Sequence, residues 1–293
     1  MKETGQFFLF LFVCLVLAAV LTVPLVATGW LDHPPQRIMG RLAQVFILLG
    51  LWPFLRWLGL DSRQALGYGL AWRPFARAVV LGWLAGFVML LVLVAALVAL
   101  EVRVPDRAFD AAWLVRIMAQ ALLAGLLIGL LEETFFRGAL YTAIRRHHGL
   151  LQAALWSALL YAVLHMMKPS GLPDGVPFDW LGSAQMFAQV FVGLFQWSHV
   201  DSLVALFLVG VLLALVREHT GHIGWCIGLH AGWVFVIQVT RRLTGNPDDA
   251  SLAVLVGDYD GVIGWLAAVW VGALALVYWF VFVRRAPSRR GRG

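Results

Sequence analysis

The sequence predicts an all-α protein, a polytopic transmembrane helical bundle of about eight membrane helices. Three observations lead there. Apolar residues make up 61% of the 293-residue chain and charged residues only 13%, against about 25% charged in an ordinary soluble domain. Windows of roughly 20 apolar residues, enough to cross a hydrocarbon core as a helix, recur along the chain. Most prolines, at 34, 35, 74, 105, 169, 173, 177 and 247, fall between those windows, where helix breakers belong. The length suits a single integral membrane domain, 1–293, with no appended soluble module.

The expected spans are 7–26, 38–58, 78–100, 118–141, 150–166, 203–216, 223–239 and 262–283. The first has a longer apolar run than a signal peptide, so it is expected to be retained. Between the fifth and sixth spans, 178–199 mixes apolar residues with Gln185, Gln189 and Gln196 and carries Trp180 and Trp197 near its ends. An interfacial or re-entrant helix fits that pattern, either capping the bundle or gating a substrate. Cys14 and Cys226 lie in apolar segments far apart in sequence and read as small core residues. The tail 284–293 is basic and cytoplasmic in this reading, and can touch anionic lipid.

Orientation follows from charge. The side holding both termini and the even-numbered connections has 14 Lys and Arg against 5 Asp and Glu, a balance of +9. The other side has 8 against 11, a balance of −3. Cytoplasmic termini are therefore predicted. The net charge of +6 is thus topological, and no nucleic acid is expected as a partner.

Against this apolar background Glu132-Glu133-Thr134-Phe135-Phe136-Arg137 stands out. Ionisable groups in a span cost about 2.5–3.5 kcal/mol each on insertion scales, so they mark a site with partners or water. Gly125, Gly129, Glu133 and Arg137 follow at intervals of four and share a helix face. The glycines there admit a neighbouring helix. Glu133 can pair with Arg137, whereas Glu132 points about 100° away without that partner and is the better candidate base. His165 lies as far beyond the midpoint of the turn at 148–149 as Glu132 lies before it. In an antiparallel hairpin both sit roughly 25 Å from the turn, at one depth. A third polar group, His230, is flanked by Gly228, Ala231 and Gly232. Its depth is open: either the hairpin protrudes, or the turn before the seventh span lies within the membrane.

Glu132-Glu133-x-x-x-Arg137, then Tyr161-x-x-x-His165, then His230 resembles the CPBP family of intramembrane proteases, which includes the type II CAAX prenyl endopeptidases and bacteriocin-processing and immunity (Abi) proteins. The match covers roughly residues 125–238, a core of about four helices within 119–240. The resemblance implies a peptidase that hydrolyses a peptide bond near the cytoplasmic face. Glu132 would be general base, His165 would hold the water, His230 would polarise the carbonyl, and Glu133 and Arg137 would support them, with Tyr161 where Phe is usual. It leaves a glutamic-type and a metallo mechanism open. In the latter, Glu132, His165 and His230 would ligate Zn²⁺ or another divalent metal, although no His-Glu-x-x-His motif is present. The implied partners are membrane lipid and a peptide or protein substrate, which can be lipid-modified. A bacterial inner membrane is the expected location.

Val234 stands where CAAX-type members carry Asn, a presumed oxyanion donor, and the chain's one asparagine is Asn246. That departure favours an alternative, a non-catalytic binding or immunity module using the same polar cluster. A haem or quinone site on His165 and His230 is a third class.

Overall fold

The computed structural model describes residues 2–105, 110–173, 175–247, 250–257 and 259–284. Among them are nine helices: α1 Lys2–Ala27, α2 Pro35–Trp57, α3 Trp72–Ala99, α4 Ala111–His147, α5 Leu150–Met166, α6 Trp180–Val192, α7 Val200–Thr220, α8 Gly224–Leu243 and α9 Trp265–Val283. Each expected span has its helix, and α6 falls in the segment read as interfacial or re-entrant. Residues 285–293 of the basic tail lie outside the described residues.

Six of these helices are long and apolar enough to cross a membrane: α1, α2, α3, α4, α7 and α9. α5 has 17 residues, and α8 is less apolar. The reason is position. α8 is enclosed by α3 and α4, and most of its residues from Gly224 to Val236 are buried. A helix wrapped by protein needs no lipid-facing stripe. Small residues permit the enclosure: a Cβ on Gly125 would lie 2.7 Å from the Ala231 carbonyl, and one on Gly129 2.9 Å from that of Ile227.

α4 is not one regular helix. After Glu133 it widens into a π-helical segment, Thr134–Leu140, before resuming as Tyr141–His147. π segments often accompany functional sites. Arg217 donates from Nε to the Arg137 carbonyl within that segment at 3.3 Å. Neighbours show how His230 comes level with Glu132 although it lies only eight residues past His222. Gly129 lies against Ile227 near the start of α8, Gly138 packs on Leu66, and Ile223 N–H donates to Gly67. α4 therefore runs on past the start of α8, and the α4–α5 hairpin reaches beyond it.

Two apolar clusters organise the bundle. One joins α3, α7, α8 and α9. The other gathers Phe7, Leu55, Leu60 and Leu66 from the N-terminal part of the chain around Phe135, Phe136, Leu140 and Ile144 of α4. At the opposite end, β1 Val104–Pro105 pairs antiparallel with β2 Thr244–Gly245. There Arg103 donates to Thr244 Oγ1 (2.6 Å), the Thr244 carbonyl (2.7 Å), Asn246 Oδ1 (2.6 Å) and the Gly261 carbonyl (2.5 Å). Asn246 is thus a structural residue. Cys14 and Cys226 are both free and buried.

Candidate active site

Glu133 ends the regular part of α4 and is fully buried. Its Oε1 accepts from Arg137 Nη1 at 2.9 Å and from His230 Nδ1 at 2.7 Å. Arg137 is buried too, its guanidinium 4.5 Å from the centre of the Tyr161 ring and donating to the Gly210 carbonyl at 3.4 Å. The i,i+4 pairing read from the sequence is present, with one addition: the same carboxylate also fixes His230.

Glu132 points elsewhere, as a 100° step requires. Its Oε2 is 3.6 Å from His165 Nε2 and 3.8 Å from His230 Nε2. That oxygen is shielded and has no hydrogen-bond partner. Glu132 and His165 therefore meet across the hairpin at one level, and α8 brings His230 to the same point.

The imidazole tautomers follow from their other contacts. His165 Nδ1 lies 2.8 Å from the Tyr161 carbonyl, which can only accept, so Nδ1 carries the proton. His230 Nδ1 faces the Glu133 carboxylate and likewise donates. In neutral His165, Nε2 is then a lone pair aimed towards Glu132. Two acceptors facing each other across 3.6 Å suit a water that donates one hydrogen to each.

Tyr161 packs between the parts: edge-on to Phe136 with ring centres 5.0 Å apart, and 4.3 Å from the His165 ring. The site forms the floor of a chamber of about 970 Å³, lined mostly by apolar side chains. Val234, one turn after His230, lines it in place of the expected Asn. Sequence reading missed Lys168, Arg241 and Tyr259 in the wall. Only Arg241 carried a local signal. At +11 from His230 it shares that residue's face, as do Val234 and Ile237 at +4 and +7.

Among the described residues no group of three or more His, Cys, Asp or Glu side chains is arranged to hold a metal ion. Around a tetrahedral Zn²⁺ with bonds of about 2.1 Å, donor atoms sit roughly 3.4 Å apart. The separations here are wider, and the Glu132, His165 and His230 set does not fit a metal as placed.

Residues 114–236 match the family model described as type II CAAX prenyl endopeptidase Rce1-like. That stretch, rather less than half of the chain, holds Glu132, Glu133, Arg137, Tyr161, His165, His230 and Val234. No curated protein and no solved structure is similar enough to match. Fold and match together describe an integral, multi-pass membrane protein whose central stretch is similar to a family of prenyl endopeptidases. Over those residues the chain is similar to the type II CAAX prenyl endopeptidases, in line with the resemblance the motifs carried.

Proposed function

We propose that the chain is a peptidase in which Glu132 is the general base. The observation that carries this reading is the convergence of Glu132 Oε2, His165 Nε2 and His230 Nε2 on one shielded point. A water there donates to Glu132 and His165, and its oxygen attacks the scissile carbonyl as Glu132 takes the proton. The C–N bond then breaks, and Glu132 returns the proton to the leaving amine. His230, doubly protonated and balanced by Glu133, presents Nε2–H to the carbonyl oxygen. Tyr161 lines the same chamber, and its hydroxyl serves as the second donor in place of the absent Asn. A glutamic-type mechanism suits this geometry, and no step is routed through a metal.

The chamber is large and apolar, and accepts a peptide segment with apolar or lipid-modified side chains. Cytoplasmic termini are expected from the charge pattern and cleavage near the cytoplasmic face from the resemblance. They would require the chamber to open beside the Phe135–Phe136 cluster.

The test uses membranes from cells carrying wild-type or Glu132→Gln protein. The expected result is a set of peptide termini present only with the wild type. Identical termini in both would refute the assignment. The alternative of a binding or immunity module draws on Val234 alone, and predicts that Glu132→Gln leaves the phenotype intact.

A further inference from the structure

The chamber has an apolar end and a polar end, and the chain's charge pattern says which side of the membrane each faces. Below the site, towards the termini, lies the apolar cluster of Phe7, Leu55, Leu66, Phe135, Phe136 and Leu140, every member of it buried. Glu133 and Arg137 are sealed above it. Phe135 and Phe136 of that cluster line the chamber, so its wall at this end is apolar.

The polar lining is at the other end. Lys168 follows α5 by two residues, Arg241 lies near the end of α8, and Tyr259 and Asp260 belong to the connection before α9. Arg41 and Gln44 sit in the first half of α2, which starts on that same side. All six line the chamber. Lys168 Nζ stands 3.8 Å over the Tyr259 ring, which places two of these segments together at the rim. Laterally, the wall is completed by exposed apolar side chains, among them Leu48, Leu127 and Leu131. Such a wall suits a segment still in the bilayer, and the polar rim suits water.

The rim belongs to the face opposite both termini. That face carries the balance of −3, against +9 on the face of the termini. Charge places the more positive face in the cytoplasm. We infer that the chamber is entered from the extracytoplasmic side, and that its substrate is a polypeptide segment presented there or in the outer half of the bilayer. The side of entry stands on fold and charge alone, whereas the word substrate rests on the peptidase reading above.

The two claims are tested separately. For entry, single cysteines replace Lys168 at the rim and Arg63, exposed in the connection between α2 and α3. The native Cys14 and Cys226 are buried and form a silent background, checked with the parent protein. A membrane-impermeant maleimide is applied to right-side-out and to inverted vesicles from a bacterial expression host. Lys168→Cys is expected to label in right-side-out vesicles and Arg63→Cys only in inverted ones. Labelling of Lys168→Cys confined to inverted vesicles, or its absence from both while detergent-denatured protein labels, overturns the inference. For the substrate, the termini lost with Glu132→Gln should map to extracytoplasmic segments. Termini that map to cytoplasmic segments overturn that part, and loss of none refutes the peptidase reading while leaving the labelling result in force.

Discussion

Replacing Glu133 by Gln should unfold the protein more readily than any single change at a lipid-facing position. Glu133 and Arg137 are 0% and 1% exposed, and their ion pair spans 2.9 Å. Without the carboxylate, Arg137 keeps a 3.4 Å bond to the Gly210 carbonyl and the face of Tyr161. Guanidinium does not shed its proton in proteins, so the charge stays buried and uncompensated. Breaking a buried pair in this way costs about 3–5 kcal/mol. Thermal unfolding of purified protein in detergent should show it as a fall in apparent Tm on the order of 10 °C. The double variant Glu133→Leu with Arg137→Leu should recover most of that loss, because apolar replacement of both partners is close to neutral. It should still be inactive, since His230 Nδ1 loses its acceptor. If Glu133→Gln alone costs under about 1 kcal/mol, the figure for an exposed pair, the claim of a sealed pair beneath the site is wrong.

Other outcomes follow from the same coordinates. Glu132→Gln should lower turnover by about 10²–10⁴-fold with Tm unchanged, since its Oε2 has no protein partner to lose. Tyr161→Phe should lower turnover by about 10²–10³-fold if its hydroxyl is the oxyanion donor; an unchanged rate assigns that role elsewhere. Gly125→Val should destabilise by at least about 1–3 kcal/mol, seen as reduced Tm, because a Cβ there would lie 2.7 Å from the Ala231 carbonyl. Burial pushes the Asp260 carboxyl above its ordinary range, against the two backbone N–H groups of Val262 and Ile263 that it accepts from. Its ionisation therefore opposes folding, with no penalty below the unfolded pKa and a loss of stability as pH rises through the folded one. Asp260→Asn keeps the acceptor, and should flatten that decline in Tm measured across the acidic range.

Local spacing carried the site a long way. The Glu133–Arg137 pair follows from one helical turn, and the meeting of Glu132 with His165 from equal distances to a polar turn. Both are short-range relations that a helix or a hairpin imposes by itself. What brought His230 to Glu133 is different in kind, because it depends on α8 lying between α3 and α4. Gly82 and Gly86 of α3, which press on Trp225 and Leu229, have no sequence neighbour to reveal that. The π segment was equally hidden, since Arg137 keeps the four-residue spacing from Glu133 and nothing in Thr134–Leu140 marks a change of helical pitch. The apolar end of the chamber was the least legible feature. Phe7 meets Phe135 with ring centres 5.4 Å apart, and only packing over that long separation shows which way the site faces.

Arg103, described above for its four hydrogen-bond contacts to Thr244, Asn246 and Gly261, bears on how a substrate would be received. It ties the connection after α3 to the one between α8 and α9, which also carries Tyr259 and Asp260 of the rim. At Arg103, Thr244, Asn246 and Gly261 those connections are held by the protein's own hydrogen bonds. Binding then immobilises little besides the incoming segment itself, and less of its contact energy is spent on ordering loops. On the proposed reading, selectivity at this rim would come in part from an outline already held before a segment arrives.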